Sequence, residues 1–155
     1  MKKTVKTIDV FNVYQIIGNA KLGKMEDADK LKIWKLARAL KDVAVKYDED
    51  RKDAADKMKP SEDFDVKMQK VQEYELAWRD ANSDKSKYIS TDEYIALRRD
   101  YRAYDALVGK AIADLGAVTV DIDIEPLTEE ACLALQAGND WTMWQVVAVG
   151  EVCCE

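Results

Sequence analysis

The chain has 155 residues, of which 48% are hydrophobic and 35% charged, with six Gly, two Pro, three Cys and a formal net charge of −6. That length suits one ordinary domain, and the composition excludes a disordered tail, a collagen and a disulfide scaffold. Histidine is absent, which excludes Ser-His-Asp and Cys-His catalysis and histidine-containing zinc sites.

In chain order, residues 3–7 alternate Thr and Val among lysines and read as a short strand. A helix is predicted over 9–22, capped by Asp9, because Val10, Val13, Tyr14 and Ile17 recur at helical spacing and Gly23 stops it. The second helix is long, 27–58, and ends before Pro60, which restricts the residue preceding it. Ile33, Ala37, Leu40, Ala44, Tyr47, Ala54 and Met58 trace a coiled-coil-like seam, widened at first by Trp34, Leu36 and Val43, while the polar run 48–53 is the natural place for a break. Unbroken, such a helix is about 48 Å long at about 1.5 Å per residue, which implies an elongated molecule.

Ser61 is positioned to cap a third helix carrying Phe64, Met68, Val71, Tyr74 and Trp78, expected to lie antiparallel to the second. A solvated loop at 82–87 precedes the fourth helix. There Ser90 and Glu93 form a capping box, Ile89 and Tyr94 occupy hydrophobic-staple positions, and Tyr94, Leu97, Tyr101, Tyr104, Val108, Ala111 and Leu115 form a seam closed by Gly116.

From residue 117 the period changes to two. Val118, Val120, Ile122 and Ile124 face one way, Asp121, Asp123 and Glu125 the other, so 117–124 reads as a half-buried strand. Its one available partner is the segment 3–7. The two ends of the chain should therefore pair, with Lys2, Lys3 or Lys6 near Asp121 and Asp123. After Pro126, Thr128 caps a short helix ended by Gly138. Asn139 or Asp140 then caps a last helix with Trp141, Trp144, Val147 and Ala148 on one face, a strand over 145–152 being the alternative.

The expected fold is thus mainly α (α+β) and a single domain over 1–155. An elongated antiparallel helical hairpin and bundle spans 9–115, with a strand and two short helices over 117–155 and a two-stranded ribbon joining the termini. No apolar run is long enough to span a membrane and no secretory leader is legible, so the expected location is cytoplasmic.

Charge is uneven. Residues 1–110 hold all 24 Lys and Arg with 21 acids, a balance of +3, whereas 111–155 hold nine acids and no base, a balance of −9. This asymmetry is read first as charge answered by the chain's own lysines, and otherwise as a surface that steers a basic partner. Three cysteines, Cys132, Cys153 and Cys154, cannot fill a four-Cys zinc site. Cys132 reads as a small core residue and the vicinal pair as tail residues rather than a redox couple.

Asp121, Asp123 and Glu125 are the one cluster with any metal chemistry open to it, through oxygen ligation of Mg²⁺ or Ca²⁺; the alternative, preferred here, is a wet strand face. Arg98, Arg99 and Arg102 suit phosphate contacts, but Asp100 and Asp105 are interleaved and favour a solvated or ion-paired face over nucleic-acid binding. Trp141 and Trp144 are either core residues or interface anchors.

Two stretches, NAKLGKMEDADKLKIWKLARALK at 19–41 and LTEEACLALQAGNDWTMWQV at 127–146, resemble small uncharacterised proteins carried by phages and prophages. In that group an N-terminal helix, a charged helical hairpin and a C-terminal helix pair recur; the three cysteines lie outside its pattern. The resemblance implies an accessory or assembly protein and carries no catalytic residue over.

The function expected is non-enzymatic protein–protein interaction or self-association, with Asp121, Asp123, Glu125, Trp141 and Trp144 as candidate interaction residues. No catalytic residue, metal, cofactor, nucleic acid, membrane or small-molecule substrate is expected. The alternatives are a small acidic regulator of a basic protein and, more remotely, a carboxylate metal-dependent enzyme.

Overall fold

The two alternating segments find each other. In the computed structural model, which describes residues 1–155, β1 (Lys2–Lys6) pairs antiparallel with β2 (Thr119–Asp123), and Lys2, Thr4 and Lys6 stand opposite Asp123, Asp121 and Thr119. Around this ribbon the chain is mainly α: α1 (Thr7–Gly18), α2 (Asp27–Lys57), α3 (Phe64–Arg79), a 3-10 turn (Lys85–Lys87), α4 (Thr91–Ala117), α5 (Glu129–Ala137) and α6 (Met143–Cys153). The polar run at 48–53 does not break α2; Lys46 and Asp50 pair within it at 2.8 Å, an i,i+4 contact that supports helix where apolar contacts thin out.

Two compact units are formed, Met1–Arg51 with Ala113–Glu155, and Lys52–Ile112. The first holds the main core, in which Val10 and Val13 of α1, Leu36 and Leu40 of α2, Ile122 and Ile124 around β2, Leu127, Leu135 of α5 and Val149 and Val152 of α6 pack together. In the second, Phe64, Val71, Tyr74, Ala77 and Leu97 are buried. Phe64 lies 4.8 Å from the Tyr104 ring, and the Tyr104 hydroxyl donates to the Ala55 carbonyl at 2.6 Å.

Several helix ends differ from the sequence reading, each for a local reason. α1 starts at Thr7 instead of Asp9, because Thr7 gives both its backbone N–H (2.8 Å) and its hydroxyl (2.7 Å) to the Val118 carbonyl, so the strand turns directly into helix. The same helix stops at Gly18, short of Leu22. The chain beyond it is held by Asn139, whose amide oxygen accepts from Lys21 N–H at 2.8 Å while its Nδ2 donates to the Lys21 carbonyl at 2.9 Å and the Leu135 carbonyl at 2.8 Å. Asn139 is therefore a cross-link between loops and does not cap α6. That cap is Thr142, in a full capping box with Gln145.

Ser61 does not cap α3, which starts at Phe64; its hydroxyl donates to the Asp63 carboxylate at 2.6 Å. Ser90 does accept from Glu93 N–H at 3.2 Å at the head of α4, and Thr128 accepts from Ala131 N–H at the head of α5, as predicted. Val118, expected on the buried face, precedes β2 and is exposed.

Gly116 lies inside α4 and does not terminate it. A Cβ there would stand 3.0 Å from Ile8 Cβ and 3.3 Å from the Tyr47 hydroxyl, so the missing side chain lets α1 and α4 approach closely. Gly109, in the same helix, faces open space. Gly109→Ala should therefore raise stability by about 1 kcal/mol, the helix-propensity gain alone. Gly116→Ala should instead lose about 1 kcal/mol, because overpacking against a branched Cβ that cannot swing aside outweighs the same gain. Urea unfolding of the two variants against the parent checks the opposite signs.

Candidate functional site

The acidic strand face is answered from within the chain; the register sets Lys2 across from Asp123, as expected, but the ion pairs and side-chain hydrogen bonds of these acids come from other groups. Alternation puts Lys2, Thr4 and Lys6 on one face of β1 and Lys3 on the other. Asp121 accepts from the Thr4 hydroxyl at 2.7 Å, Asp123 pairs with the α-ammonium of Met1 at 3.2 Å, and Glu125 meets Lys35 of α2 at 3.2 Å. Each carboxylate thus has a different partner, and nowhere do three His, Cys, Asp or Glu side chains gather as a set able to hold a metal ion.

Lys3 turns the other way. Its ammonium donates to the carbonyls of Glu151 (3.2 Å), Val152 (3.3 Å) and Cys154 (2.6 Å). A cation thereby satisfies the orphan acceptors at the end of α6 and meets the negative end of its dipole.

The cysteines correct the sequence reading. Cys132 of α5 and Cys154, one residue past α6, form a disulfide, and Cys153 is the free thiol, fully buried. An odd cysteine count concealed the pair, since one thiol of the vicinal couple serves the core and the other the cross-link. Burial pushes the Cys153 thiol up to about 12, against a smaller opposing pull from the Lys3 charge.

Two surfaces set exposed aromatic side chains beside a depression, one of about 800 Å³ and one of about 80 Å³. An open cavity of about 800 Å³ between α3 and α4 is lined by Tyr74, Trp78, Arg79, Tyr94, Ile95 and Arg98 among others. Its polar groups are largely matched to one another. The Tyr94 hydroxyl donates to Glu75 at 2.9 Å, which pushes the phenol above its usual range, and Arg98 approaches the same carboxylate at 3.8 Å. Tyr74 stacks on Tyr94 with centroids 4.6 Å apart, its hydroxyl lies 3.0 Å from that of Thr91, and Lys85 sits 4.0 Å over the Trp78 ring. Arg98, read from the sequence as part of a solvated or ion-paired face, belongs to this set.

The second surface is the outer face of α6. Met143, Trp144 and Val147 are 76%, 59% and 48% exposed. A groove beside them is lined by Trp144, Val147, Ala148 and Glu151 of α6 with Asp9 and Asn12 of α1. Trp144 has no ring or cation stacked on it, and Asp9 and Glu151 form no ion pair. The structure separates the two tryptophans that the sequence put on one face. Trp141 lies before the helix and packs partly buried against the main core, while Trp144 opens the first turn to solvent. Met143 and Asp9 were missed. The signal was Thr142 with Gln145: a helix started there places residues 143, 144 and 147 on one stripe.

Comparison with protein-family models, with curated proteins and with solved structures finds no match for this chain.

The buried thiol has a measurable consequence. The unfolded thiol ionises near 9.0 and the folded one near 12, so the folded state's advantage is complete below pH 9 and is lost as pH rises between the two values. Over that window the parent should lose about 1.4 kcal/mol of stability per pH unit more than Cys153→Ala does. Urea unfolding at several alkaline pH values, comparing slopes between the two proteins, checks this.

Proposed function

We propose that this chain is a non-enzymatic protein-binding module, and that the outer face of α6 receives a partner segment rich in apolar and basic side chains. The observation that carries the reading is the unpartnered state of that face. Met143, Trp144 and Val147 are three adjacent large apolar groups left in water, whereas the aromatic groups of the α3–α4 cavity are already stacked or hydrogen-bonded to neighbours. An exposed tryptophan with apolar flanks is the usual anchor of an interface.

Charge selects the partner. Residues 111–155 contain nine acids and no base, and three of those acids, Asp121, Asp123 and Glu125, are occupied within the chain. Glu151 is not, and together with Asp9 of α1, also without an ion pair, it edges the groove beside Trp144. A lysine- or arginine-bearing helix that sets an apolar side chain against Trp144 brings cations to these carboxylates, which speeds encounter and fixes register more than it adds affinity. The alternative of a small acidic regulator of a basic protein is met by the same surface. The resemblance of 19–41 and 127–146 to phage-borne proteins extends the proposal to accessory or assembly steps of a phage particle.

A synthetic amphipathic helix of leucine and lysine is the probe, with calorimetry as the readout. It should bind at micromolar Kd and weaken as salt rises. Its glutamate counterpart should not bind, and Trp144→Ala should cost tenfold or more with the fold intact by circular dichroism. Equal binding of the two peptides, or binding indifferent to Trp144→Ala, would reject the surface.

A further inference from the structure

The disulfide that the sequence concealed sits where a small molecule can reach it. Cys132 and Cys154 line one surface cavity of about 440 Å³, whose wall includes the carboxylates Glu129 and Glu155. Cys132 is 7% exposed and Cys154 is half-buried, so Cys154 is the more accessible partner. Around the bond the end of the chain is held by a few polar contacts. Leu127 N–H donates to the Cys153 carbonyl at 2.8 Å, Glu155 N–H donates to the Leu127 carbonyl at 3.1 Å, and Lys3 reaches the Cys154 carbonyl. The adjacent thiol, Cys153, is sealed in the core.

We propose that the Cys132–Cys154 bond is a thiol-exchange site that admits small cationic thiols in preference to anionic ones, and whose opening releases the chain beyond Cys153. An external thiolate attacks Cys154 Sγ and forms a mixed disulfide there. The protein S–S bond breaks, and its electron pair leaves on Cys132 Sγ, which takes a proton from water. A second external thiolate attacks the external sulfur of the mixed disulfide, and Cys154 leaves as thiolate. The protein disulfide is thereby reduced by two electrons while two external thiols become one external disulfide.

The selectivity follows from the wall. Glu129 and Glu155 line the cavity; the Lys3 ammonium, bound to three carbonyl oxygens beside the bond, keeps its charge but is not part of the lining, so two carboxylates outnumber one cation there. An incoming anion is repelled and an ammonium-bearing thiol drawn in, an effect that salt screens. Cys153 stays out of the exchange because it is buried and remains a protonated thiol, which is not a nucleophile. The bond therefore reopens and recloses between the same two sulfurs.

This inference stands apart from the proposed binding role and is tested without a partner. The folded chain, purified without reductant, is treated with cysteamine or with 2-mercaptoethanesulfonate at equal thiolate concentration, each rate divided by that for the urea-unfolded chain. Exposed thiols are trapped with iodoacetamide and located by mass spectrometry. The expected result is a cysteamine advantage of fivefold or more at low salt, reduced at least twofold in 0.5 M NaCl and by Glu129→Gln. Cys132 and Cys154 should be labelled with Cys153 untouched, and hydrogen exchange should quicken at residues 154 and 155 once the bond is open.

Three outcomes would overturn the proposal: three free thiols before any reductant is added, opening that for both thiols proceeds only at the rate of global unfolding, or equal rates for the two thiols. Cys132→Ser with Cys154→Ser, which lacks the bond altogether, should show the fast exchange at 154 and 155 from the outset. Protection there as strong as in the parent would contradict the release.

Discussion

The pairing of β1 with β2 is the constraint on which the first unit depends. Two five-residue segments more than a hundred positions apart are brought into one register, and three other elements take their places from it. α1 starts where β1 ends, because Thr7 is held by the Val118 carbonyl. Ile122 faces the core with Ile124 just beyond. Lys3, on the inner face of β1, reaches the last carbonyls of α6. A slip of one residue would turn Ile122 outward and carry Lys3 to the wet side, so burial and capping together enforce one register. Closing so long a loop costs entropy that grows only slowly with its length, so a small ribbon suffices once an apolar face is buried beneath it.

Much of this was legible in the sequence, because it is written in periods. The change from a helical to a two-residue period at 117 marks the strand, and with 3–7 as the one available partner it implies the pairing of the chain ends, observed one residue earlier at Lys2–Lys6. Thr128 and Gly138 marked α5, and the seam of Tyr94, Leu97 and Tyr104 marked α4. The parts that were not legible depend on contacts between distant residues. Asn139 looks like a cap and is a cross-link to Lys21; Gly116 looks like a stop and is a point of close approach to Ile8. Lys3, one of three lysines expected near Asp121 and Asp123, instead serves α6. The disulfide was hidden because a vicinal pair with an odd total suggests tail residues until the fold shows that one sulfur points into the core and the other towards α5.

The candidate site was half legible. The sequence leaves Trp141 and Trp144 open to a core or an anchor role and groups them on one face because it starts the last helix two or three residues early; the structure partly buries Trp141 and leaves Trp144 exposed. The acidic residues singled out, Asp121, Asp123 and Glu125, are answered by Thr4, the α-ammonium of Met1 and Lys35. Those left without partners beside Trp144 are Asp9 and Glu151, and Asp9 lies in an N-terminal helix that no one-dimensional pattern connects to the last one. The face is assembled by the packing of α1 on α6, itself a consequence of the ribbon.

The account rests on that face being where the chain meets other molecules. Backbone chemical shifts recorded while a lysine–leucine amphipathic helix is added would locate the contact residue by residue. The account predicts changes confined to residues 9–12 and 143–151. Changes clustered instead at Tyr74, Trp78, Tyr94 and Arg98, or spread evenly over every acidic surface residue, would contradict it.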